Sequence, residues 1–502
     1  MKEVKYRLLM LKYARDDPML EAQMIERLIE VYKRNEIKIP DNIQSIIKRE
    51  SKRIRKDIEE TLYKKKAEMK RLGGKFEDEK KQGMKFGEKV EDFERTYEKY
   101  EQAMDYLYSL QKRGMKLGLD SMKNTLKMLE NPEKDLKIIH VAGTNGKGSV
   151  CAMIDSILES TGYKVGRYVS PHLARFSERI TVNNDEIDEK SIVRLVNYLK
   201  PYIEKHKLTF FEAITVMAIV YFSEKKTDFV VMEVGLGGRL DATNVVNSIV
   251  SVITNISLEH TEYLGNNIKK IAMEKIGIIK EKNLVVTGAD GEALKVIKEA
   301  CETSNARLVP LMEARKNNNK IDIFDLFEVD LNLQGDFQIS NASVAVTAVL
   351  ALRELGFRVP SKAIKTGLEY VEFPGRFDFY KKNILLDCAH NEAGMNVLKN
   401  ELEKLAHKNI ILIIGILDDK KIDKMIETIV PFSKKVIITK PESERAVSTE
   451  DLAKEVKKFK KDYEIKQTVE EAVKYAESIL GKDDLLVITG SCYVVGEAMI
   501  AL

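Results

Sequence analysis

The stretch HVAGTNGKGSV, His140 to Val150, sets three glycines and one lysine between an apolar run and a helical pattern. Glycine lets a backbone approach a ligand closely and adopt positive φ. Successive N–H groups at a helix N-terminus then form an anion cradle, to which a lysine adds a point charge. The loop departs from the regular phosphate-binding pattern: Val141 stands where its first glycine belongs, and Gly148 follows Lys147, delaying the hydroxyl to Ser149. A glycine turn without a ligand is the plainer alternative. The flanking strand and helix patterns favour a nucleoside triphosphate.

Further reactive side chains follow other apolar runs. RYVSPHLARFSERI carries Ser170, VVMEVGLGGRLDATN carries Glu233 and Asp241, VITNISLEH ends in His260, and IAMEKIGIIK holds Lys275 among apolar neighbours. ATP chemistry calls for Mg²⁺, which takes a few oxygen ligands and completes its shell with water. A hydroxyl and a carboxylate at strand ends facing the loop would supply such ligands. Singly, Glu233 reads equally well as an ion-pair partner and His260 as a hydrogen-bonded core histidine. Their occurrence together, in this order, favours a site.

The elements that must position these groups are legible as alternating apolar strands and amphipathic helices. FVVMEVG, SIVSVITNI and NLVVTG precede a second series of NILLDCAHN, NIILIIGI, KVIIT and DLLVITG, which begins around FPGRFD. Such alternation predicts parallel sheets covered by helices on both faces, with ligands beyond the C-terminal strand ends. The chain is α/β over most of its 502 residues. We expect a charged helical extension with a linker over 1–90, an ATP-binding central domain over 91–372 and a smaller α/β domain over 373–502.

In the extension, Asp17 and Pro18 open one helix with Leu20, Met24, Leu28 and Tyr32 on a face, and Ile43 to Leu62 stripe another. GGKFEDEKKQGMKFGEK then reads as a linker, and a further helix pattern runs through Val90, Phe93, Tyr97, Met104 and Leu107. The run Lys64–Lys66 reads as a solvated face, and a net charge of +4 gives no reason to expect nucleic acid or a membrane as partner. Four separated cysteines without a CxxC pair fit reduced thiols, the N-terminus lacks a secretory pattern, and IILIIGIL is too short to span a bilayer. These features predict a cytoplasmic protein.

The motifs together resemble folylpolyglutamate synthase and dihydrofolate synthase of the Mur ligase superfamily. The resemblance covers about Tyr97 to the C-terminus and rests on LGLDSM, HVAGTNGKGSV, SPHLARFSERI, FFEAITVMA, MEVGLGGRLDATN, TNISLEHTEYLG, IAMEKIGIIK, GDFQISNA, PGRFD, DCAHN and TGS-Y. Glu259 stands where that family usually has aspartate, and Phe373 where tryptophan is common. The resemblance implies a Mur-ligase-like P-loop ATPase domain followed by a Rossmann-like C-terminal α/β domain. It also implies ATP-dependent addition of L-glutamate to tetrahydrofolate, and to dihydropteroate, through an acyl phosphate.

The roles it implies fall on numbered residues. Lys147 and the N–H groups of Asn145, Gly146, Gly148 and Ser149 would hold the phosphates. Ser170 and Glu233 would bind one Mg²⁺; His260 and Lys275, the latter as a carbamate, would bind a second. Asn341, Arg376 and Asp387 would meet the nucleotide, with His390 and Asp387 also facing the glutamate. Arg175 and Phe176 would flank the pterin–glutamate path, and Asp241 would belong to the substrate site. A monomer is expected. The family offers no counterpart to the extension. Two other readings stay open: a Mur-type ligase for another acid, which should lack the GLGGRLDATN and SPHL…ERI pair, and a partner-binding scaffold with residual ligase character.

Overall fold

Runs such as FVVME bury every residue, as central strands covered on both faces must. The computed structural model describes residues 99–502 apart from 115, 117, 318–319, 324–326, 406–408 and 419. The helices expected over 17–62 and the linker over 73–89 lie outside the described residues. The chain divides into two units, Met1–Ser109 with Asp188–Tyr198, and Leu110–Ile187 with Leu199–Leu502. In the first unit, residues 99–109 are helical, with Ala103, Met104 and Leu107 buried, as the pattern running on from Val90 predicts.

In the second unit, the described strands Ile138–Ala142 (β1), Val165–Tyr168 (β2), Ile180–Val182 (β3), Asp185–Glu186 (β4), Phe229–Glu233 (β5), Ser248–Ile253 (β6), Leu284–Thr287 (β7) and Arg307–Leu308 (β8) form one sheet. Its order is β4-β3-β2-β5-β1-β6-β7-β8. From β2 to β8 all pairings are parallel, whereas β3 and β4 add antiparallel pairs at one edge. Ala314–Asn317 (β9), Lys320–Ile323 (β10) and Phe327–Val329 (β11) make a separate antiparallel sheet.

A third sheet has the order β12-β13-β17-β14-β15-β16, from Asp378–Lys381 (β12), Ile384–Leu386 (β13), Asn409–Ile414 (β14), Lys435–Ile438 (β15), Asp462–Ile465 (β16) and Asp484–Thr489 (β17). It is parallel except for β12 on β13. Only Lys382 and Asn383 separate those two strands, a connection too short for a parallel crossover.

Helices pack on these sheets. Lys147–Ser160 (α1) follows β1, Phe210–Lys225 (α2) precedes β5, and Ile268–Lys275 (α3) follows β6. Thr209 and Glu212 cap α2 reciprocally, each side chain taking the other's backbone N–H. Phe337–Glu354 (α4) and Ser361–Tyr370 (α5) bury apolar side chains in one core with α1. At Gly367 the backbone of α5 comes so close to that of Ile157 that a Cβ would sit 2.5 Å from its Cα. Ser156 Oγ donates to Gly367 O across the same contact at 2.8 Å. In the third sheet's layer, Glu392–Leu402 (α6) follows β13 and Cys492–Ala501 (α7) follows β17.

Candidate active site

The C-terminal ends of β1, β5 and β6 and those of β13, β14 and β17 open on one cleft of about 890 Å³. Asn145, Gly146, Lys147, Gly148, Ser149, Ser170, Glu233, His260, Lys275, Asn341, Arg376, Asp387 and His390 all line it. Arg175, Phe176 and Asp241 do not appear in its lining.

The phosphate loop is fixed by the C-terminal end of β6 and the residues just beyond it. Thr144 N–H donates to Asn255 O, Asn145 N–H to Asn255 Oδ1 at 2.9 Å, and Thr254 Oγ1 to Asn145 O. Asn145 N–H is therefore committed to the scaffold. Gly146 holds φ +80° as the residue capping α1, and a Cβ there would strike Asn341 Oδ1. Asn341 Nδ2 in turn donates to Gln338 Oε1 at 2.8 Å. Lys147 is the first residue of α1, and its Nζ donates to Thr144 O at 3.0 Å and Gly143 O at 3.2 Å.

Glu233 ends β5, and its Oε2 accepts Ser170 N–H at 3.1 Å. Burial raises its pKa, against the charges of Lys147 and Arg376 and the Ser170 hydrogen bond. Lys275 ends α3 almost fully buried and donates from Nζ to Gly143 O at 2.7 Å. Desolvation, helped by the charge of Lys147, pushes its pKa down to about 7, with Glu259 and Asp241 opposing.

Glu259 joins the two halves of the cleft. Its Oε1 accepts Asn391 Nδ2 at 3.0 Å and lies 3.4 Å from His390 Nε2 and 3.7 Å from His260 Nε2. Burial opposes its charge, but the hydrogen bond from His390 and the charges of Lys147, His390 and His260 hold its carboxyl well below the usual range. Burial likewise opposes the charge of His390, yet the bond to Glu259 raises its pKa. Its Nδ1 lies 2.8 Å from Cys388 O, and Lys420 Nζ lies 3.5 Å from His260 Nε2.

Asp387 holds its own loop: Oδ2 accepts Phe377 N–H and Oδ1 accepts Ala389 N–H, both at 2.8 Å. Burial raises its pKa despite the neighbouring Arg376 charge. Arg376 lies over the Phe373 ring at 5.7 Å, so phenylalanine supplies the π face where the resembled family commonly has tryptophan.

Outside the lining, Arg175 pairs with Glu186 at 2.5 Å and 3.2 Å. Phe176 is buried beside His172. Asp241 accepts Thr243 N–H, Thr243 Oγ1 and Leu236 N–H, closing the turn after β5. Among lining residues, Asn255, Asn391, Lys420, Arg445 and Cys492 were not singled out from the sequence. All lie shortly after apolar runs, the positions where such sheets place ligand groups.

The chain matches the Mur ligase middle domain over residues 141–349 and the Mur ligase glutamate ligase domain over 375–492. A dihydrofolate synthase/folylpolyglutamate synthase of Bacillus subtilis is 33% identical over 424 residues, covering 79% of this chain and 98% of the relative. E. coli FolC, solved with DHPP and ADP, superposes with a TM-score of 0.71 at 28% identity, covering 79% of this chain and 97% of that one. A bifunctional folylpolyglutamate synthase/dihydrofolate synthase solved with Mn, AMPPNP and L-glutamate bound also scores 0.71, at 29% identity over 80% of this chain and 97% of that one. Among the described residues, no helix is long and apolar enough to cross a membrane.

Proposed function

Because the chain belongs to the folylpolyglutamate synthase/dihydrofolate synthase family of Mur ligases, we propose that this cleft is where it joins L-glutamate to folates at the expense of ATP. The chain is an ATP-dependent folate–glutamate ligase. The observation carrying the site assignment is convergence. One cleft gathers a glycine-lysine phosphate loop, the buried Glu233 and Lys275, and Arg376 and His390 from beyond residue 373.

The reaction needs positioning and charge stabilisation more than a side-chain nucleophile. A carboxylate of the folate or pteroate attacks the γ-phosphorus of ATP, releasing ADP and leaving an acyl phosphate. The glutamate amine then adds to the acyl carbon, and the tetrahedral intermediate expels phosphate, leaving an amide. Lys147 and the loop N–H groups that point into the cleft hold the phosphates. Arg376 offsets charge on the transferring phosphoryl group, and Asn341 steadies the nucleotide. Asp387 shapes the loop that presents His390 to the glutamate, and Glu259 orients His390.

Magnesium is the cation we assign. Among the described residues, no three His, Cys, Asp or Glu side chains cluster as a metal site. The donors present fit a cation that keeps much of its water: the Ser170 hydroxyl with Glu233, and His260 with a carbamate on Lys275. The metal, when bound, neutralises phosphate charge. A lysine whose pKa falls to about 7 is substantially a neutral amine at neutral pH. Such an amine adds to carbon dioxide, losing a proton and gaining two hard oxygens. A relative solved with Mn, AMPPNP and L-glutamate bound supports a divalent cation in the assembled site.

Dihydropteroate and tetrahydrofolate are both proposed as acceptors, in a cytoplasmic enzyme acting as a monomer with domains divided near 90 and 373. Arg175, Phe176 and Asp241 serve the acceptor path indirectly, by holding the loops after β2 and β5. The test is ADP release by the full chain given ATP, L-glutamate and either acceptor, with each component omitted in turn. Glutamate- and folate-dependent ADP release is expected. Turnover with another acid and none with either folate would overturn the acceptor assignment.

A further inference from the structure

Lys275 reaches the phosphate loop from a helix end that another segment completes. α3 stops at Lys275, and a single tight helical turn over Ile276–Ile278 follows. A helix end leaves carbonyls that need donors from elsewhere. The turn after β5 supplies them: Arg239 N–H donates to Glu274 O at 2.7 Å, and Asn244 Nδ2 donates to Gly277 O at 2.9 Å. The two backbones touch. A Cβ at Gly238 would sit 2.9 Å from Glu274 O and 3.0 Å from Lys275 O, and one at Gly277 would strike Arg239 Cα. From β6, Ser251 Oγ donates to Ile278 O at 2.8 Å and holds the same segment from the sheet.

Asn244 is the centre of this contact. It is buried, and it lies outside the cleft lining. Its N–H donates to Asp241 O at 2.9 Å, so the side chain projects from a closed turn. Nδ2 also donates to Arg239 O at 3.0 Å, while Oδ1 accepts Lys280 Nζ at 2.7 Å. Both amide hydrogens and the amide oxygen are therefore in use. The surroundings fix the orientation of the amide. A flipped one would set its NH₂ against the Lys280 ammonium and its oxygen against two carbonyls.

We propose that Asn244 is a positioning residue for Lys275. Its amide locks the turn after Glu233 to the end of α3, and so holds Lys275 Nζ at the phosphate loop, 2.7 Å from Gly143 O. A lysine side chain is long and flexible, so its tip stays at one point only where burial and a fixed backbone remove the alternatives. Lys275 is buried, and Asn244 fixes the backbone two residues beyond it. The same turn begins at Glu233, so one amide couples the placement of two residues assigned to the cation. The inference rests on the reading that Lys275 serves the nucleotide end of the cleft.

The test is a double-mutant cycle on the full chain, read by calorimetry as the affinity for AMPPNP in the presence of Mg²⁺. Asn244→Asp keeps the shape and the acceptor for Lys280 but loses both donations. It should weaken binding about tenfold, as Lys275→Ala should, and the double variant should bind no more weakly than Lys275→Ala alone. Lys280→Met keeps both donations and should stay within about twofold of wild type. A residue serving only the stability of the turn would give additive losses in the cycle, or equal losses for Asn244→Asp and Lys280→Met. Either result, or wild-type affinity in Asn244→Asp, would overturn the proposal. Wild-type affinity in Lys275→Ala would overturn the reading of Lys275 itself, and the positioning role with it. If Asn244→Asp does not fold, Asn244→Ala takes its place in the cycle.

Discussion

Asn391 Nδ2 donates to Glu259 Oε1 at 3.0 Å, and the same amide reaches Asn145 Oδ1 at 3.1 Å. Asn391 follows β13 and caps α6, whereas Glu259 follows β6 and Asn145 belongs to the phosphate loop. One side chain therefore ties the C-terminal sheet to the segment that would hold ATP, and Glu259 anchors it.

That relationship predicts the behaviour of Glu259→Gln. The amide keeps the size of the side chain but removes the charge that raises the His390 pKa. The His390 pKa should fall toward the ordinary histidine value, readable as a shift in its NMR titration. Loss of the aligned link should lower kcat/KM at least about tenfold, or about 1.4 kcal/mol in barrier. An unchanged His390 titration would break the proposed coupling.

The phosphate loop gives a second prediction, at Gly146. Its φ of +80° costs an L-residue about 1 kcal/mol, and a Cβ would also strike Asn341. Gly146→Ala should weaken binding of a non-hydrolysable ATP analogue by about tenfold or more and lower Tm. Wild-type affinity measured by calorimetry would mean that this backbone does not touch the phosphates.

Much of this site was legible because its chemistry follows uninterrupted apolar runs, and strands such as β5 and β14 advertise themselves by composition. Ser170, Glu233, His260, Lys275 and His390 each lie after such a run, and the fold gathers them in one cleft. No such signal marks β9 and β10, whose residues are ARKN and KIDI, because polar antiparallel strands exist only through each other. Asp241 and Arg175 look like ligand groups in the sequence for a similar reason. Their partners, Leu236 and Thr243 in one case and Glu186 in the other, are revealed only when the turn closes or the edge hairpin forms.

Arg376 separates a role at the phosphates from a role in folding. It meets Cys492 and the Phe373 ring, and its neighbour Phe377 is tied through its N–H to Asp387. The loop is thus held by backbone bonds that Arg376 does not make. Arg376→Ala should cut ADP release about a hundredfold or more, with Tm changing by only a few degrees. Normal turnover with a large fall in Tm would make Arg376 a structural residue.

The burial of Lys275 has a consequence for stability that can be measured without turnover. With a folded pKa of about 7 against an ordinary lysine value of 10.5, the unfolded chain binds more protons between those two pH values. Stability from this group therefore rises with pH across that window, by at most about 1.4 kcal/mol per unit, and is flat below pH 7. Urea unfolding in bicarbonate-free buffer at pH 7, 8 and 9 should show wild type gaining stability relative to Lys275→Met. Adding bicarbonate should raise wild-type stability further relative to Lys275→Met, because carbon dioxide adds to the neutral amine that only the folded state presents. Parallel wild-type and Lys275→Met curves in bicarbonate-free buffer would mean that Lys275 keeps an ordinary pKa. The neutral amine that carbamylation requires would then be scarce at neutral pH.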